Sequence, residues 1–119
     1  MKGDNLKNRT RKFSLDAVKF VEAEPDSVMM RCARHQLARS VTSVGANYGE
    51  ACRARSRKEF ISKIETALQE LEESLYWVEL LVDYGCSRPD SAQELLSEAT
   101  ELMAMLTASA KTAKRNLSK

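Results

Sequence analysis

The stretch RSVTSVGANYGEACRARSRKEF, residues 39–60, decides the fold. Val41, Val44, Tyr48 and Ala51 recur every three or four positions, which puts them on one face of a helix. Ser56-Arg57-Lys58-Glu59 fits a capping box, with Ser56 as N-cap and Glu59 at N3, so a new helix starts there. Between the two, Arg53, Arg55, Arg57 and Lys58 crowd a short break. Gly45 and Gly49 lie inside the first helix, where each costs about 1 kcal/mol against alanine. Close approach by a neighbouring helix is the expected compensation, and a local kink is the alternative.

Working outward, the same period repeats on both sides. Leu6, Phe13, Ala17, Phe20 and Val21 define a first helix over about residues 5–24, stopped by Pro25. The second covers about residues 27–54, with Met30, Ala33, Leu37 and then Ser40 or Val41 leading its buried stripe. The third covers about residues 57–84, with Phe60, Ile64, Ala67, Leu68, Leu71, Leu75, Val78 and Val82 on one stripe. Gly85 suits its C′ position, and Pro89 suits the first turn of a fourth helix over about residues 89–116. No segment has a strong claim to be a strand. Short connections then give one all-α domain over residues 1–119, an up-down-up-down four-helix bundle.

At 119 residues, with 43% hydrophobic and 30% charged content, the chain has the composition of a soluble globular protein. No apolar run is long enough to span a membrane, and the polar start MKGDNLKNRTRKFS does not read as an export signal. Three widely spaced cysteines, Cys32, Cys52 and Cys86, suggest reduced structural thiols and a cytoplasmic location.

Two surfaces exceed what a lone bundle needs. In LYWVELLVDY, residues 75–84, Trp77, Leu80 and Tyr84 form a second apolar stripe opposite the core face. A contiguous apolar stripe of this kind usually marks an interface, so the chain is expected to self-associate through these residues. Ser40, Ser43, Asn47 and Glu50 form a polar helix face, which must be hydrogen-bonded if buried. Bonds between helices or subunits are their expected role.

Residues for catalysis are lacking. Cys32 and His35 sit three apart on one helix and could supply half a metal site, but nothing completes it. A partly buried helical pair is the better reading. No phosphate loop or dinucleotide fingerprint occurs, and neither a metal nor a cofactor is expected. Charge is the stronger signal. Net charge is only +2, yet residues 64–110 hold ten acidic side chains against one basic. In an up-down-up-down bundle, one pole collects Lys2, Lys7, Arg9, Arg11 and Lys12 with Arg53, Arg55, Arg57, Lys58 and Lys63. Lys111, Lys114, Arg115 and Lys119 join them there. The other pole collects Glu22, Glu24, Asp26, Glu79, Asp83, Asp90 and Glu94 against Arg88. A ring of parallel subunits would merge the basic poles into one face suited to an RNA or DNA backbone. No aromatic residue is expected among these cations at the pole, so base stacking has little support.

Arg39-Ser40-x-x-Ser43-Val44-Gly45-Ala46-Asn47-Tyr48-x-Glu50-Ala51, then Arg55-Ser56-x-Lys58-x-Phe60, then Glu73-x-x-Tyr76-Trp77, resembles the bacterial 23S rRNA intervening-sequence proteins. The resemblance runs from about Arg11 to Asn116. It implies a four-helix bundle that assembles as a ring-like homopentamer, with no established enzymatic activity. The accessory variability determinant proteins of diversity-generating retroelements look similar too; they are basic pentamers that bind nucleic acid. This chain departs from many relatives in carrying Gly49 where they carry arginine. The expected function is thus a non-catalytic pentamer of uncertain biological role. Arg53, Arg55, Arg57, Lys58, Lys111, Lys114 and Arg115 would meet RNA or another nucleic acid. The alternative is a protein-interaction scaffold with one specific protein partner.

Overall fold

Serine, glycine and proline punctuate the chain where their backbone chemistry requires. The computed structural model describes residues 2–117, with side chains from Asn5 onward. It has four helices: α1 (Lys2–Glu22), α2 (Val28–Cys52), α3 (Arg57–Tyr84) and α4 (Pro89–Leu117). Ser27 caps α2 by accepting the Met30 N–H at 2.9 Å. Ser56 caps α3 by accepting the Glu59 N–H at 3.0 Å. The return arm of this second cap is shifted by one residue: Glu59 Oε2 accepts from the Arg55 N–H, at 3.0 Å. Gly85 ends α3 at φ 107°, a left-handed conformation that costs glycine little, and its N–H donates to the Leu81 carbonyl.

Two helix ends fall short of the sequence expectation. α1 stops at Glu22 because Glu24 precedes Pro25, a position that disfavours helix; the Glu24 N–H turns instead to the Val21 carbonyl at 3.4 Å. α2 stops at Cys52 because the N–H groups of Arg53 and Ala54 bond to the Glu50 and Ala51 carbonyls, both at 3.1 Å. These i→i−3 bonds tighten the last turn and end the α-helix.

Each helix packs against its chain neighbours and α4 returns to α1, while the backbones of the diagonal pairs stand further apart among the described residues. The result is an up-down-up-down bundle measuring 51 × 21 × 21 Å. The α1–α4 seam is the most open of the four. Phe13, Phe20, Leu37, Val41, Leu71, Leu81, Leu102 and Leu106 fill the middle, all with 2% exposure or less. Burying each such side chain contributes roughly 1.5–3 kcal/mol, which is the main force holding the helices together.

The buried face of α3 differs from the sequence reading. It consists of Ile61, Ile64, Ala67, Leu71, Ser74, Val78 and Leu81. Phe60, Leu68, Leu75 and Val82, assigned to the stripe from the pattern, flank this face half-buried. Ser74 accounts for the rotation. It is fully buried because its hydroxyl meets Ser40 Oγ of α2 at 2.9 Å and the Glu70 carbonyl at 2.8 Å. A pattern built on apolar residues passes over such a serine. Above the pair, Arg39 Nη1 donates to Glu70 Oε2 at 3.0 Å and Arg39 Nη2 donates to Glu73. A polar seam therefore aligns α2 with α3.

Only one of the two α2 glycines faces a neighbouring helix. A Cβ on Gly45 would lie 3.5 Å from Thr10 Oγ1 of α1, an ordinary contact. A Cβ on Gly49 would meet only Arg53 Nη1 of its own chain end, at 3.6 Å. The expected close approach at Gly49 is corrected: no second helix comes near it within the subunit. No helix among the described residues is long and apolar enough to cross a membrane.

Candidate nucleic-acid interface at the basic pole

The α2–α3 connection and the end of α4 meet at one end of the rod. Arg57 ties them, its Nη1 donating to the Asn116 carbonyl at 3.2 Å. Arg53, Arg55, Arg57, Lys58, Lys111, Lys114 and Arg115 are all exposed. Lys114 pairs with Glu65 at 2.7 Å, and nearby Lys63 pairs with Glu50 at 3.6 Å. No ion pair forms at Arg53, Arg55, Arg57, Lys58, Lys111 or Arg115 among the described residues. The Arg57 partner is a neutral carbonyl, so its charge remains uncompensated, and a guanidinium has five N–H donors.

Some cations assigned to this pole are engaged elsewhere. Arg9 forms a fork on Glu98 of α4, with contacts of 2.5 and 3.1 Å, and reaches Glu101 at 3.5 Å. The Glu98 hydrogen bonds outweigh burial and raise the Arg9 pKa above its ordinary value. Lys12 pairs with Asp16 one turn along α1, and that hydrogen bond raises the lysine pKa. Lys7 and Arg11 are exposed. The Lys2 side chain and Lys119 lie outside the described residues.

A groove of about 650 Å³ opens between the α2–α3 connection and α4. Leu6, Tyr48 and Phe60 line it, with Arg55 and Arg57 from the connection and Asn116 from α4. Tyr48 is 5% exposed, and Phe60 is half-buried against the core. This corrects the expectation that no aromatic residue sits among the cations. Both aromatics were legible as core positions of their helices. Their meeting with Arg55 and Arg57 arises from the chain reversal between α2 and α3, which linear spacing does not display. The one local sign is Phe60 four residues after the cap Ser56, where an apolar side chain folds back toward the helix entry.

The opposite pole is less acidic than its composition suggests. Glu24 is buried, accepting the Ser87 N–H at 2.8 Å and the Ser87 hydroxyl at 2.6 Å. Arg88 Nε stands 3.5 Å from the same carboxylate, and the Arg88 guanidinium lies 5.0 Å from the Phe20 ring centroid. Burial alone would raise the Glu24 pKa, but the Ser87 and Arg88 contacts outweigh it and hold the pKa below the ordinary carboxylate value. Asp26 is neutralised by Arg34 at 2.8 Å and Arg31 at 2.7 Å, which lower its pKa against a smaller desolvation effect. Glu22, Glu79, Asp83, Asp90 and Glu94 remain exposed.

The second apolar stripe is unevenly covered. Trp77 is half-buried against the subunit's own core and stacks edge-on with Tyr76, ring centroids 5.4 Å apart. Leu80 is half-buried, while Tyr76 and Tyr84 are each 57% exposed. On the polar face of α2, Ser40 bonds across to Ser74, whereas Asn47 Nδ2 donates to the Ser43 carbonyl of its own helix at 2.9 Å. Glu50 is exposed and faces Lys63. Two cysteine expectations are corrected: Cys32 and Cys52 are exposed rather than structural, and His35 beside Cys32 is exposed as well. No group of three or more metal-ligating side chains assembles among the described residues.

A crystal structure of a protein of unknown function from the S23 ribosomal protein family of Bacteroides thetaiotaomicron superposes with a TM-score of 0.79 at 32% identity. The match covers 93% of this chain and 99% of that one. No curated protein matches the chain. The family model described as 23S rRNA-intervening sequence protein matches residues 5–108, which include the polar α2–α3 seam and the cationic connection. The chain belongs to the 23S rRNA-intervening sequence protein family.

Proposed function

We propose that the chain assembles as a ring-like homo-oligomer, a pentamer as its family resemblance implies, and applies its basic pole to a nucleic-acid backbone without catalysing a reaction. One observation carries this reading. Six cations, Arg53, Arg55, Arg57, Lys58, Lys111 and Arg115, stand without a carboxylate partner among the described residues, near one end of a 51 Å rod. Repeating that pole around a ring would multiply a charge that phosphates complement. The cations also suit the carbonyl ends of α2 and α4, which explains their tolerance there but not their excess.

The test is an RNA titration by fluorescence anisotropy at low and moderate salt. Arg53, Arg55 and Lys58 are changed together to glutamine, leaving Arg57 to hold α4. The variant should bind more weakly and keep its oligomeric state. Each lost phosphate contact should flatten the plot of log affinity against log salt by roughly 0.7 for a single strand. Equal affinities and slopes for the two proteins would remove this pole from RNA binding. Absence of binding by either protein at low salt would favour the protein-scaffold reading.

A further inference from the structure

We infer that the groove at the basic pole takes an unpaired base of a single-stranded nucleic acid, with the adjoining phosphate on Arg55 and Arg57. This rests on the basic-pole reading and adds a site to it. A flat heterocycle has apolar faces and polar edges, and the groove offers both kinds of partner. Phe60 and Tyr48 supply the aromatic lining, while Ser109, Thr112 and Asn116 supply polar edges from α4. An alkyl chain would leave those polar groups unmatched, and a neutral ligand would make no use of the two guanidinium groups. The volume, about 650 Å³, falls in the usual range for small-ligand sites, about 300–1,000 Å³. Arg57 already bonds to Asn116 across the α3–α4 gap, so the groove wall is held in place before any ligand arrives. Aromatic stacking tolerates any base, since each has a π face. A duplex keeps its bases stacked on one another and cannot fill the groove. The site therefore prefers unpaired strands, which uniform phosphate contacts alone would not explain.

The experiment compares a labelled oligouridine with an RNA duplex of the same length, using the full chain at two salt concentrations. Two variants separate base from backbone. Phe60→Leu keeps an apolar side chain against the core but removes the ring. Ala108→Leu adds bulk to the groove from an exposed position on α4. Wild type should bind the single strand more tightly than the duplex. Both variants should lose about tenfold in single-strand affinity, with the salt slope and the duplex affinity unchanged. If Phe60→Leu fails to fold, Ala108→Leu decides. Equal wild-type affinity for the two RNAs would overturn the base site. So would unaltered single-strand binding by Ala108→Leu. In both cases the backbone reading survives if the Arg53, Arg55 and Lys58 variant still flattens the salt slope. Absence of binding to both RNAs at low salt would end both readings together.

Discussion

Gly45 and Gly49 look equivalent in the sequence, and their surroundings separate them. Gly45 faces Thr10 of α1, which a Cβ there would touch at an ordinary distance. Gly49 has open space beyond Arg53. Gly49→Ala should therefore stabilise the subunit by up to about 1 kcal/mol through helix propensity. Gly45→Leu should destabilise it by about 1–3 kcal/mol through overpacking. Urea unfolding of both variants checks the pair, and a loss of stability in Gly49→Ala would show that its open side is occupied in the assembly. Ser40 and Ser74 are coupled in a different way. Each hydroxyl also has a carbonyl in its own helix, Leu37 for Ser40 and Glu70 for Ser74. Removing either serine thus loses the interhelical bond without orphaning its partner. A double-mutant cycle with alanine at both positions should give a coupling of about 0.5–1 kcal/mol. Zero coupling would mean that the two serines merely fill space.

Between elements, Glu24 fastens the α1–α2 connection to the α3–α4 connection through Ser87 and Arg88. Its pKa is lowered in the folded state, so its contribution to stability is complete above the unfolded carboxylate pKa, about 4.3. That contribution disappears as pH falls through the lowered folded value. Glu24→Gln should cost about 1–3 kcal/mol at neutral pH, in the range for a buried hydrogen-bonded charge. The variant should also lose less stability than wild type on acidification. Thermal melts from neutral pH down through the carboxylate range read both effects. Parallel pH curves for the two proteins would exclude this carboxylate as a source of acid sensitivity. At the other end, Arg57 makes the corresponding tie from α3 to α4 with a neutral acceptor.

At the scale of the whole molecule, length separates the charges. The bundle is 51 Å long, several times the Debye length of about 8 Å at physiological salt. Exposed acidic residues near the far end therefore do little to neutralise the basic pole; Glu65, paired with Lys114, acts locally. The aromatic surface of α3 motivates assembly. Trp77 packs on its own core, so its removal would mix folding with association. Tyr84, 57% exposed, is the cleaner probe. Tyr84→Glu should leave the subunit fold intact and shift sedimentation from a multiple of 13.4 kDa toward the single-chain mass. A wild-type protein that sediments as a monomer would defeat the oligomer proposal. An unshifted variant would instead exclude Tyr84 from the contact.

Helix number, order and the bounds of α3 and α4 were legible in the sequence to within a residue because they depend on local chemistry, whereas α1 starts three residues earlier than expected and α1 and α2 each end two residues sooner. A serine can cap only the turn that follows it, Pro25 disfavours helix at Glu24, and Gly85 tolerates the left-handed backbone at the end of α3. The collection of cations at one pole also followed, since an up-down-up-down order alone decides which helix ends coincide. Properties shared between helices were not legible. Ser74 reads as a surface residue until Ser40 is placed opposite it. Arg9 reads as a free cation until Glu98 of α4 is brought alongside. Glu24 reads as surface acid until Ser87 and Arg88, more than sixty positions away, enclose it. The same holds for the groove that brings Phe60 and Tyr48 to Arg55 and Arg57. Periodicity reports which side of a helix turns inward; only the tertiary structure decides what each side chain meets there, because those partners come from distant parts of the chain.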